Sequence, residues 1–170
     1  WTRFEEKNIG ISFYYPPRLE LKSETYSKLP YLSFIGKTPA DRFNLNFVPF
    51  SGKTEELVAK TVAGDTNLPL YQVSITDTAE WLTILKNEAL RFRGNGGDTL
   101  VFFVDGTRGY LFYTSIKDQN EVNLILTSFE KLSGEEEGMC IDTICPSVTN
   151  GCFWQISLDK CNCGELICNE

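Results

Sequence analysis

Six cysteines lie close together near the end of the chain, and their thiols are the side chains with the clearest chemistry. They are Cys140, Cys145, Cys152, Cys161, Cys163 and Cys168, and no cysteine precedes them. Such a group can form disulfide bonds, ligate a metal ion or exchange thiols. These three chemistries require different spacings, so the spacing discriminates between them.

The spacing favours three disulfide bonds. Zinc sites use close pairs such as C-x2-C, which this segment lacks, and the chain contains no histidine. A redox role for Cys161 and Cys163 lacks support, because no C-x-x-C motif or basic neighbourhood lowers a thiol pKa. Six cysteines allow 15 pairings. The adjacent Cys161 and Cys163 are poor partners for each other, and excluding a bond between them leaves 12 of the 15 pairings.

Catalytic chemistry has little support elsewhere in the sequence. The absence of histidine excludes Ser-His and Cys-His nucleophile pairs. The acidic runs at 5–6, 55–56 and 135–137 are neighbours in sequence only, and chain neighbours usually point apart. Ser51-Gly52-Lys53-Thr54 imitates the end of a P-loop, but Phe47 occupies the required early glycine position and Pro49 removes a backbone donor. We therefore predict no catalytic residue, no metal ligand and no cofactor, and we interpret 51–54 as a strand-to-helix turn capped by Thr54.

Charge divides the chain at the same place as the cysteines. Residues 1–134 carry 15 basic and 16 acidic side chains, whereas residues 135–170 carry one lysine and seven acids. The composition predicts two parts: a body (1–134) large enough for a hydrophobic core, and a tail (135–170) that needs disulfide bonds to fold. An acidic tail on a near-neutral body argues against binding to nucleic acid.

Disulfide bonds imply an oxidising compartment outside the cytoplasm. The chain starts at Trp1 without methionine, which a removed signal peptide or a trimmed lipid anchor upstream of Trp1 would explain. No apolar run is long enough to span a bilayer. We expect a secreted or envelope-attached protein.

The body contains alternating and helical patterns. Odd-numbered apolar residues predict strands over 9–15 and 43–47, with Asn44 and Asn46 on an outward face. Further patterns predict a strand at 71–75, a hairpin over 100–113 turning at Asp105-Gly106, and helices over 54–63 and from Asp118 to Gly134. The stretch 81–93 fits either a helix or two strands.

Three of these segments resemble a known family. Gly10-Ile11-Ser12-Phe13-Tyr14-Tyr15-Pro16 resembles the opening strand of PsbP-like domains, Gly109-Tyr110-Leu111-Phe112-Tyr113 their late core strand, and 124–130 their final helix. The resemblance covers roughly residues 4–132. It implies an α+β fold, an antiparallel sheet flanked by helices in an α/β/α sandwich, and favours paired strands over 81–93. Members outside photosynthesis are often secreted or lipid-anchored bacterial proteins without known activity.

These observations predict a non-catalytic, extracytoplasmic interaction or structural module with an unidentified protein partner. Phe153 and Trp154 are the candidate interaction surface, because a short tail has little interior to bury two large rings. Two alternatives stay open. The tail could inhibit a protease through a loop at 147–154, or the chain could be a hydrolase that uses two converging carboxylates.

Overall fold

The computed structural model describes residues 1–7, 9–26, 29–38, 40–69, 71, 75, 79–94, 96–132, 152–157 and 162–168. In this part of the chain the strands are β1 (Thr2–Glu6), β2 (Ile11–Tyr15), β3 (Glu20–Tyr26), β4 (Leu29–Ile35), β5 (Arg42–Pro49), β6 (Glu80–Ile84), β7 (Asn87–Arg93), β8 (Thr99–Asp105), β9 (Arg108–Thr114), β10 (Glu130–Lys131), β11 (Cys152–Ser157) and β12 (Asn162–Cys168). The helices are α1 (Thr54–Val62) and α2 (Gln119–Thr127). No helix within these residues is both long and apolar enough to cross a membrane.

Seven strands form one antiparallel sheet in the order β3-β4-β5-β9-β8-β7-β6. The hairpin predicted at Asp105-Gly106 is present, and Gly106 supplies the positive φ of 59° that the turn between β8 and β9 needs. The ambiguous stretch over 81–93 forms two paired strands, β6 and β7, as the family resemblance implied. The sheet and two helices confirm the predicted α+β class.

The sheet is apolar on both faces, and each face has its own helix. Leu57 of α1 is fully buried against a cluster on one face that includes Leu90, Phe102 and Leu111. Phe103, the neighbour of Phe102, points to the opposite face because side chains alternate along a strand. There it stacks on Tyr110 at 4.7 Å between ring centroids. Arg91 lies on the same face as Phe103 and reaches Asn123 of α2.

Phenylalanine side chains make much of the core on the α2 face. Phe34 and Phe43 stack at 4.3 Å between ring centroids, and Phe13 stacks on Phe129 at 4.7 Å. Such stacked and edge-on pairs contribute about 0.5–1.5 kcal/mol each beyond the burial of area. The odd-numbered pattern of the opening strand therefore does place Phe13 inward, fully buried.

Two predicted details are wrong. Asn44 and Asn46 do not face outward: only 5% and 4% of these residues is exposed, because they share a buried polar cluster with Tyr71. The second helix does not continue to Gly134, since its C-cap is Ser128. Beyond it the chain turns to strand β10, where Glu130 pairs with Ser12.

Other predictions fall partly or wholly outside the described residues. Tyr71 and Ile75 are described and belong to no strand, whereas the residues between them are not described. The boundary at residue 134 and most of the predicted cysteine-rich tail also lie outside, so both stay predictions. Spatial contacts group the chain into one compact unit of residues 1–4 with 13–129 and another of 5–12 with 130–170.

Candidate functional site

A polar cleft lies where α1 begins. It encloses about 510 Å³. Its walls come from the start of α1, the β6–β7 turn and the β8–β9 hairpin, and they comprise Gly52, Lys53, Thr54, Glu55, Lys86, Asn87, Glu88, Val104 and Gly106. The sequence segment that imitates a P-loop therefore does form one side of a cleft.

Hydrogen bonds fix the walls of this cleft. The Thr54 hydroxyl donates to the carbonyl oxygen of Glu88 at 2.8 Å, which ties α1 to β7. The Asn87 amide donates to the Asp105 carboxylate at 3.0 Å, which ties β7 to the β8–β9 hairpin. The predicted cap is wrong by one residue: Lys53 is the N-cap of α1, and Thr54 is the first helical residue.

The cleft does not have the chemistry of a phosphate loop. The backbone N–H of Lys53 donates to the Glu56 carboxylate at 3.3 Å, so a carboxylate already occupies one donor at the helix start. Phe47, at the early glycine position of the imitated motif, lies inside strand β5 and is buried. Two lysines and two glutamates, Glu55 and Glu88, share the walls, so the charge is mixed.

Glu55 and Glu88 are the carboxylates that bear on the predicted hydrolase alternative. Both side chains are exposed to solvent. A carboxylate pair that hydrolyses a glycosidic bond needs one member in an environment that keeps it protonated, as an apolar pocket does. The walls around these two carboxylates are largely polar rather than apolar, and the hydrolase stays a prediction. Within the part of the chain that the structure describes, no group of three or more potential ligands could hold a metal ion.

A second polar group is buried on the α1 face of the sheet. The side-chain amides of Asn44 and Asn46 both donate to the Tyr71 hydroxyl, at 3.1 and 2.8 Å. Ser33 donates to the Asn44 side-chain oxygen at 2.8 Å. The Tyr71 ring stacks on Tyr113 with 4.0 Å between centroids. These contacts join the chain after α1 to strands β4, β5 and β9, so the cluster is structural.

Ion pairs join separate elements on the α2 face of the sheet. Glu80 at the start of β6 accepts hydrogen bonds from Arg91 at 2.5 and 3.1 Å and from Arg93 at 3.2 Å. The hydrogen bond from Arg91 is the largest cause of a lowered pKa at Glu80.

Arg18 donates to Glu121 and Asp41, and these hydrogen bonds raise the pKa of Arg18 above its usual value. Each arginine joins separate elements of the fold.

Strand β6 is an edge of the sheet and carries an exposed tryptophan. Trp81 is 52% exposed. No described strand pairs with the outer side of β6. Tryptophan is enriched among the residues that contribute most to protein binding. An exposed sheet edge can accept an extended peptide as an added strand. Sequence reasoning missed this residue, because the apolar pattern of 81–93 does not reveal which strand lies at an edge.

The predicted site residues of the tail are described only in part. Cys152 begins β11, and Cys163 and Cys168 lie in β12, whereas Cys140, Cys145 and Cys161 lie outside the described residues.

Phe153 and Trp154 are in β11, where their Cα partners are Ile167 and Leu166. The structure does not describe these side chains, so the predicted disulfide bonds and interaction surface stay predictions. Most of the predicted inhibitory loop at 147–154 is likewise not described.

Comparison with known proteins identifies the fold. The chain is similar to the solution structure of the cyanobacterial PsbP protein (CyanoP) from Synechocystis sp. PCC 6803, with a TM-score of 0.55 and 13% sequence identity. The similarity covers 76% of this chain and 91% of that chain. No protein-family model and no curated protein matches the chain. Likeness at this identity concerns architecture alone, and the chain has a PsbP-like fold.

Proposed function

We propose that this protein is a non-catalytic, extracytoplasmic interaction module that binds an extended segment of a partner protein along the outer edge of strand β6. The PsbP-like body acts as a rigid scaffold for that edge. Support for a non-catalytic role comes from the fold and from the chemistry of the described cleft, whose carboxylates are exposed. The cluster of six cysteines supports a location outside the cytoplasm.

The single observation that carries the proposal is the position of Trp81. A tryptophan that is 52% exposed leaves a large apolar surface in water, and its burial by a partner is favourable. Tryptophan is also among the residues most enriched at the energetic centre of protein interfaces. At an edge strand, the ring stands beside backbone N–H and C=O groups that can pair with an added strand.

The ion pairs around Glu80 make this edge suitable for binding. Glu80 is the residue before Trp81, and Arg91 and Arg93 of the adjacent strand β7 hold its carboxylate. Arg91 is itself only 6% exposed, so its geometry is fixed by its surroundings. A pre-ordered edge loses less conformational entropy on association than a mobile loop does.

Substitution at Trp81 tests the proposal, and the chain offers a matched control. Val62 of α1 is 53% exposed, almost the same fraction as Trp81, but it lies on a helix. Wild-type, Trp81→Ala and Val62→Ala proteins would be used as bait on extracts of the cells that make the protein. We expect a partner that the wild type and Val62→Ala retain and that Trp81→Ala loses by at least about tenfold. Equal retention by all three proteins would contradict the assignment.

A further inference from the structure

Two of the six cysteines lie directly opposite each other in the strand pair β11–β12. Cys152 and Cys168 are Cα partners at the open end of this antiparallel pair. Phe153 with Ile167, Trp154 with Leu166 and Gln155 with Glu165 continue the same register toward the connection between the strands. Cys163 has no cysteine across from it within the described register.

Direct opposition in an antiparallel pair satisfies the backbone requirement for a disulfide bond. Opposed residues have Cα atoms about 4.5 or 5.5 Å apart, depending on whether they exchange hydrogen bonds. Disulfide-bonded cysteines have Cα separations of about 4.4–6.8 Å. Both values for an antiparallel pair fall inside that range, so the Cα separation of directly opposed residues permits a disulfide bond.

We infer that Cys152 and Cys168 form a disulfide bond that closes the open end of the β11–β12 hairpin. Four cysteines then remain, and Cys161 and Cys163 are too close in sequence to be good partners. Each of them therefore pairs with Cys140 or Cys145, in one order or the other. The register thus reduces the 12 pairings left by the spacing to two.

Formation of the bond between Cys152 and Cys168 requires an oxidant. A small disulfide compound in the extracytoplasmic compartment is that oxidant. One protein thiolate attacks the oxidant and forms a mixed disulfide, releasing one thiol. The second protein thiolate then attacks the bonded protein sulfur, which forms the protein disulfide and releases the other thiol. Two protein thiols are oxidised and one disulfide compound is reduced to two thiols. The inference rests on the extracytoplasmic part of the proposed function but not on binding at Trp81.

Thiol mapping of a single variant tests the pairing in the full chain. The Cys152→Ser protein would be refolded with oxidised and reduced glutathione, alkylated, and cut after Lys160 by trypsin and after Glu165 by Glu-C. The fragment 166–170 contains Cys168 and no other cysteine. We expect the alkyl group on this fragment. In the matched control Cys163→Ser we expect it on the fragment 138–160, which holds Cys140, Cys145 and Cys152, and tandem mass spectrometry should locate it at Cys140 or Cys145 and not at Cys152.

A Cys152→Ser protein whose label lies entirely on fragments other than 166–170 would overturn the inference. Six alkylated thiols in the refolded wild type would also overturn it. A pair of double variants keeps the test informative if the single variant forms mixed pairings. Cys152→Ser/Cys168→Ser should retain two disulfide bonds and no free thiol. Cys152→Ser/Cys163→Ser should leave two free thiols, and the same thiol count in both double variants would refute the pairing. The outcome of this thiol test is independent of the partner binding that Trp81→Ala is expected to lose.

Discussion

Thr99 and Thr114 are Cα partners across strands β8 and β9, and both are fully buried, yet only Thr114 has a satisfied hydroxyl. The Thr114 hydroxyl donates to the carbonyl oxygen of Arg42 at 2.9 Å and accepts from the N–H of Ile116 at 3.0 Å. The Thr99 hydroxyl has no hydrogen-bond partner in the part of the chain that the structure describes.

Valine substitutions at these two positions should therefore have opposite consequences. Thr99→Val removes an unpaired buried hydroxyl and keeps the shape, so we expect the free energy of unfolding to stay the same or to rise by up to about 1 kcal/mol. Thr114→Val leaves the Ile116 N–H without its partner, and we expect a loss of about 1–3 kcal/mol. Urea denaturation measures both values. Equal losses in the two variants would show that the Thr99 hydroxyl does have a partner.

Close packing at Gly109 gives a second prediction. A Cβ atom added there would lie 2.8 and 2.9 Å from the methyl carbons of Leu57, which is fully buried in α1. Overpacking of this kind typically costs about 1–3 kcal/mol, and we expect Gly109→Ala to lose that much stability. Gly96→Ala is the control, since an added Cβ there has no neighbour within 4 Å. Thermal unfolding that is unchanged in Gly109→Ala would mean that α1 does not pack closely on β9.

The Tyr71 hydroxyl gives a third prediction. Tyr71→Phe preserves the ring that stacks on Tyr113 but removes the oxygen that accepts from Asn44 and Asn46. Both asparagines are buried, so their unpaired amides should lower the free energy of unfolding by about 1–3 kcal/mol. Tyr14→Phe is the control, because Tyr14 is 40% exposed. If chemical denaturation shows the same small effect for both variants, water satisfies the two amides.

The ion pair of Glu80 predicts a pH dependence. Hydrogen bonding by Arg91 lowers the pKa of Glu80 in the folded protein below the ordinary value of 4.5. Ionised Glu80 therefore stabilises the fold at pH values above 4.5, and this stabilisation is lost as the pH falls through the lowered pKa. The stability difference between wild type and Glu80→Gln should be largest near neutral pH and should shrink in acid.

Denaturation at several pH values measures this difference, and Glu20→Gln provides the comparison. Glu20 is exposed on β3 and has no ion pair with the residues that the structure describes. We expect its substitution to change stability by less than about 0.5 kcal/mol at every pH. A wild-type advantage over Glu80→Gln that stays constant down to about pH 3 would contradict the role of Arg91.

Some elements are specified by a few neighbouring residues, and these elements were predicted correctly from the sequence. The Asp105-Gly106 turn lies between two apolar runs, and the hairpin follows from these residues alone. The Asp118 cap is equally local, since its carboxylate accepts from the N–H of Asn120 at 2.9 Å. The ambiguous stretch 81–93 needed the family resemblance, because its spacing fits two periods.

Apart from the N-cap of α1, which was misplaced by one residue, the failures concern partners that are distant in sequence. The alternation of apolar and polar residues along β5 places Asn44 and Asn46 on one face of the strand. It does not reveal that Tyr71 covers that face. The predicted helix end at Gly134 was wrong because Glu130 pairs with Ser12, more than a hundred residues earlier. Trp81 belongs to an edge strand only through the order of the whole sheet, and strand order has no local signal.

Site-specific photocrosslinking in cells shows directly whether the β6 edge binds a partner protein. Benzoylphenylalanine would replace Trp81 in one protein and the equally exposed Val62 in another, and both would be irradiated in the cells that make the protein. We expect one discrete protein adduct from position 81 and none from position 62. No adduct from position 81, or the same adducts from both positions, would contradict binding at this edge.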